Sequence, residues 1–164
     1  MALFRRHDAQ PPPAEPEPDD SPDALRRAVS QLVAFINQNA GKLPGESVVA
    51  ARRVTDTLRD VIDTSDAGEL DVYAIISVKG IVNDYLPTTL RAYLALDAQV
   101  VDVRRPTGRT PKESLLDQII SLWSGADDVL NAARAKDADA LVSQGSFLQT
   151  KFTGSDLDLE QWRP

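Results

Sequence analysis

Carboxylates and a few cations are the groups left to do chemistry in this chain. The sequence has no cysteine, and its one histidine is His7. Thiol nucleophiles, thiolate zinc sites, Ser-His-Asp triads and multi-histidine metal sites therefore have no material. Asp84 with Asp117 or Asp128 is the set that metal-dependent phosphoester hydrolysis would need, two carboxylates holding a divalent ion that activates water. Asp117 and Asp128 fall off the apolar seam of their own segment, which places them toward solvent. The row Asp56, Asp60, Asp63 is interleaved with Arg52, Arg53 and Arg59, and reads as a solvated, ion-paired helix face. Asp156, Asp158 and Glu160 alternate like ligands but lack the glycine and ligand count of a calcium loop. No catalytic, cofactor-binding or metal-binding residue is assigned on these patterns.

The cations are more suggestive. Arg104, Arg105, Arg109 and Lys112 form the one basic cluster of a chain whose formal charge is −7 and whose pI is about 4.7. An acidic chain is a poor binder of nucleic acid, which is held by neutralising phosphates and releasing counterions. A local basic cluster suits an acidic protein partner or anionic lipid.

The elements that must position these groups read as helices. The 164 residues are one domain's worth, 42% hydrophobic and only 5% aromatic, a core of Leu, Val, Ile and Ala. Residues 8–20 hold five prolines and five acids with no large apolar side chain. Residues 1–20 are therefore expected to be a disordered leader. Ser21-Pro22-Asp23 is a helix start, and Leu25, Val29, Leu32 and Ile36 follow on one face. A second helix over about 46–64 turns Ala51, Val54, Leu58 and Val61 inward. The third, from near Glu69, is apolar nearly all round as far as Val82, the pattern of a helix at the centre of a bundle. Within it Gly80 reads as a close helix crossing.

Pro87 then removes an N–H and crowds the carbonyl four residues back. Tyr85, Leu86 and Pro87 are expected to mark a bend, with Thr88 and Thr89 capping the groups it frees. Residues 97–110 form the longest connection. Thr110-Pro111-Lys112-Glu113 is a capping-box start. Leu116, Ile119, Trp123, Ala126, Leu130 and Ala133 follow at three-four spacing, a seam that could pair inside a bundle or with a second copy. After a break at 134–139 a last helix places Leu141, Gly145, Leu148 and Phe152 on one face, and 153–164 is a tail. The fold class expected is all-α: an antiparallel bundle of about five helices over 21–152, the third kinked at Pro87.

The words "YLPTTL" (85–90), Tyr93 and Leu96, and the helical run from Glu113 through Asp137–Leu141, resemble the XpaC-like proteins, a family named for hydrolysis of 5-bromo-4-chloroindolyl phosphate. The likeness covers about residues 46–152. It implies a cytoplasm-facing helical protein beside TelA-type toxic-anion (tellurite) resistance proteins. The family's membrane-spanning N-terminal segments are replaced here by the Pro/Glu leader. No catalytic motif of the family is matched, so the resemblance carries the fold and the bend, and leaves hydrolysis as the alternative. The function expected is a non-enzymatic interaction or adaptor protein in envelope or toxic-anion stress, with a TelA-like or acidic partner. No apolar run reaches the length of a bilayer span, and no signal peptide is evident, so a cytoplasmic protein is expected. Leu3, Phe4, Arg5 and Arg6 offer at most a weak peripheral membrane contact.

Overall fold

The computed structural model describes residues 19–67, 69–106 and 108–153. The expected leader and tail, with Leu3–Arg6 and the acids of 156–160, lie outside them, except that Asp19, Asp20 and Thr153 are described.

Helix α1 (Pro22–Asn39) starts as its sequence dictates. The Ser21 hydroxyl accepts from Ala24 N–H at 3.1 Å, with proline at the first helical position. Leu25, Val29, Leu32 and Ile36 are all buried, each worth about 1.5–3 kcal/mol of transfer from water. A short 3₁₀ turn (Ala40–Lys42) reverses the chain into α2 (Gly45–Asp63), where Ala51, Val54, Leu58 and Val61 are fully buried. The two helices run antiparallel, tied by Arg26–Asp63 at 2.9 Å and by Arg52 donating to Asn37 at 2.9 Å.

Next come α3 (Val72–Gly80), a π turn (Ile81–Tyr85) and α4 (Leu86–Leu94), one continuous rod. Asp71 caps it by accepting from Tyr73 N–H at 2.7 Å. The expected break at Pro87 takes the form of the π turn just before it: Leu86 N–H reaches back five residues to Ile81 C=O. Pro87 itself is buried at the start of α4.

The π turn answers a slip in the apolar pattern. Ala74, Val78 and Ile81 face inward from α3, and Leu86, Leu90 and Tyr93 from α4. At 3.6 residues per turn, the second set would point about 120° away from the first in an uninterrupted α-helix. One extra residue in the ladder turns it back, and both sets meet the same core.

Helix α5 (Pro111–Ala135) opens with the complete capping box, Thr110 and Glu113 each bonding the other's backbone N–H. It ends at Lys136, whose φ of 54° is left-handed. Helix α6 (Ala138–Thr153) follows at once. Counting the rod as one, the described residues form five helices and no strand, and each helix runs antiparallel to the next. Segment 98–102 is turn-rich.

Two expectations about layers need correction. The central helix is α5, which packs on α2, α6, α4 and α3. Its buried positions include Leu115, Ile119, Leu122, Ala126, Val129 and Leu130, so Ile119, Ala126 and Leu130 of the expected seam are buried, and the buried arc extends to one side of it. Leu116, Trp123 and Ala133 only flank the arc, because a helix with neighbours on several sides buries a wider arc than a coiled-coil stripe. That arc is occupied within the monomer. The rod, by contrast, is peripheral: Val72 and Ile76 are 57% and 56% exposed. Its outward face carries Lys79, in phase with both, which ties it to the surface through a 2.7 Å bridge to Asp20.

Candidate functional site

The expected basic cluster does not stand free as four cations. Gly108, at φ 83°, makes a tight turn in which Gly108 N–H donates to Arg105 C=O and Arg105 N–H to Arg109 C=O. That turn carries Arg105 inward, leaving it 7% exposed, so it is unable to meet a partner as expected. The other three reach neighbouring acids. Arg104 bonds Gly108 C=O at 2.6 Å and stands 3.5 Å from Glu113; Arg109 pairs with Asp117; Lys112 pairs with Asp102 at 2.8 Å. The hydrogen bond to Asp102 holds the Lys112 ammonium above the usual lysine range. The bond from Thr110 N–H, aided by Arg104 and Arg109, holds Glu113 below the usual carboxylate range. The cluster is thus a locally neutralised brace across the start of α5. Exposed pairs of this kind contribute little stability each.

The three carboxylates of the hydrolase alternative are not brought together. Asp84 is exposed in the π turn, where it accepts from the Thr88 hydroxyl at 3.2 Å. The Thr88 hydroxyl thus donates to a carboxylate, and not to the carbonyl freed by the proline as expected of it. Asp117 is paired with Arg109, and Asp128 lies eleven positions further along α5, roughly 16 Å at 1.5 Å per residue. Among the described residues no three His, Cys, Asp or Glu side chains could share a metal ion. Asp84, Asp117 and Asp128 are each exposed to solvent, whereas a hydrolytic centre holds its carboxylates in a shielded site.

At Tyr85, Leu86 and Pro87 the geometry is that of packing. Tyr85 lies back over Gly80, so close that a Cβ there would sit 2.9 Å from its ring. The ring stacks on Phe152 of α6, centroids 5.7 Å apart. Burial, with the neighbouring Asp84 charge, raises the Tyr85 pKa, and burial raises that of Tyr93. Gly80 is therefore the seat of a ring from its own rod, rather than a crossing point of two helices.

Sequence reasoning missed the surface along α3 and α6. These helices run parallel: Ser77 lies beside Gly145, as Tyr85 lies beside Phe152. At the level of this contact Val72, Tyr73 and Ile76 of α3 and Val142 of α6 are all exposed. Within the contact itself the Ser77 hydroxyl, 3% exposed, faces Gly145 and has no hydrogen-bond partner among the described residues. The signal was present in sequence: Lys79 in phase with Val72 and Ile76 marks that side as outward. No described helix is long and apolar enough to cross a membrane. No family model, curated protein or solved structure matches the chain.

Proposed function

We propose that the protein is a non-catalytic helical interaction module, an adaptor that presents one side of its bundle to a protein partner. The observation that carries this reading is the outward row Val72, Tyr73 and Ile76, large apolar side chains left to solvent on a helix whose other side is well packed. An apolar-all-round helix is ordinarily covered on every side, and a contiguous exposed apolar patch is typical of interaction surfaces. The resemblance to XpaC-like proteins supports a TelA-type protein as partner, and toxic-anion or envelope stress as setting.

The experiment is a calorimetric titration of the purified chain with a purified TelA-type protein, beside an assay with a chromogenic phosphate and magnesium or manganese. The expected result is a saturable complex and no metal-dependent turnover. Metal-dependent turnover that is lost on Asp84→Asn or Asp117→Asn would overturn the reading in favour of hydrolysis.

A further inference from the structure

The α3–α6 surface also has a charge pattern, and the pattern narrows the partner. The N-termini of both helices lie at one end of the seam, each with its own acids: Glu69 and Asp71 at α3, Asp137 and Asp139 at α6. Asp71 and Asp137 each give an oxygen to a first-turn N–H, which leaves the rest of each carboxylate to outside donors. Asp139 lies three residues before exposed Val142, on the same flank of α6. A cleft of about 520 Å³ opens at this end, with Glu69, Asp71 and Lys136 among its polar lining and Leu70, Val72 and Leu141 among its apolar lining. At this end four carboxylates outnumber the nearby cations, Lys136 in the cleft and Arg26, which lines a neighbouring cleft with Glu69. The Lys79 ammonium is already held by Asp20, and Lys151 lies over the Phe147 and Phe152 rings at the far end.

We infer that the exposed apolar row along the α3–α6 seam, with the cleft at its acidic end, is a docking groove for an amphipathic partner helix. The partner lays apolar side chains on Val72, Tyr73, Ile76 and Val142, and carries Lys or Arg at the end that meets Glu69, Asp71 and Asp139.

In helix-in-groove recognition the partner helix lays apolar anchors, three and four residues apart, on an apolar row such as this one. A single helix fits better than a second folded copy. Each partner of a stable dimer contributes about 800 Å², more than four half-exposed side chains provide, and a second copy would bring its own acids to the acidic end.

This inference rests on the interaction-module reading and refines it. Its test uses the full chain and two designed helical peptides, one with leucines at i, i+3, i+4, i+7 and lysine flanks, its twin with glutamate flanks. Fluorescence anisotropy is expected to give the lysine peptide at least about tenfold higher affinity, an advantage that shrinks as salt rises. Ile76→Asp is expected to weaken it about tenfold, and Glu69→Lys with Asp139→Lys several-fold, while Arg104→Ala with Arg109→Ala leaves it unchanged. All of these positions are exposed, and circular dichroism checks that each variant folds. Equal affinity for the two peptides, or binding unmoved by Ile76→Asp, overturns the groove. Dimerisation that Ile76→Asp abolishes assigns the seam to a second copy and overturns it equally. A TelA-type complex that forms with peptide binding absent, or unaffected by Ile76→Asp, sinks the groove and leaves the module reading standing.

Discussion

Gly80 and Tyr85 illustrate how one hydrogen atom sets the geometry of a helix. Alanine at 80 gains about 1 kcal/mol of helix propensity, but its methyl meets the Tyr85 ring at 2.9 Å, and that ring is stacked on Phe152. Overpacking of this kind costs about 1–3 kcal/mol. Gly80→Ala is therefore expected to lower stability by about 1 kcal/mol in urea denaturation, and to become stabilising in a Tyr85→Leu background where the ring is gone. Lys136 poses the opposite case, a side chain where its absence would help. Its φ of 54° is the left-handed conformation that ends helices on glycine. Lys136→Gly is expected to raise the melting midpoint, by about 0.5–1 kcal/mol in free energy. Glu113 governs a pH effect. Its folded pKa lies below the ordinary value, so its contribution is fully present above pH about 4.3 and is lost as pH falls through the depressed value. Glu113→Gln, which can keep the bond to Thr110, is expected to flatten that part of the acid-unfolding curve.

At the scale of elements, the π turn is the instructive case. Proline alone does not demand it: the apolar phase slips between Ile81 and Leu86 whatever stands at 87. Pro87→Ala is therefore expected to keep the π turn and the fold, with the Leu86 amide still bonded to Ile81 and measurable by hydrogen exchange. Deleting exposed Asn83 removes the extra residue and is expected to restore an α ladder and free Tyr85 from its place over Gly80. This also marks how far the sequence could be read. The inward rows of α1 and α2, the caps at Ser21 and Thr110, and the site of the disturbance at 81–87 follow from local chemistry, and all were legible. The layer order was not. Leu116 and Trp123 look as apolar as Leu115 and Leu122, and only the neighbours of α5 on several sides decide which row is deepest. Arg105 was equally opaque, since its burial follows from a turn through Gly108 and not from its own type.

At the scale of the whole molecule, the exposed apolar side of α3 should be nearly silent in stability. Val72→Ser with Ile76→Ser removes side chains already more than half in water, so chemical denaturation is expected to shift by no more than about 0.5 kcal/mol per site. Binding of a hydrophobic dye should fall, because the patch it reports is gone. A larger loss of stability would mean that this face is packed in solution. The most extensive contact in the bundle joins α2 to α5, a parallel pair aligned by Arg53 over Trp123 and by Asp60 with Arg134. These helices are not neighbours in the chain; the entire rod and both its connections lie between them. Closing so long a loop precedes any gain from the contact. This places the slow step of folding late, at the arrival of α5. The barrier is then the closing of that loop, and the side-chain contacts of α5 form beyond it, so truncating Ile119 should speed unfolding while hardly changing the rate of refolding.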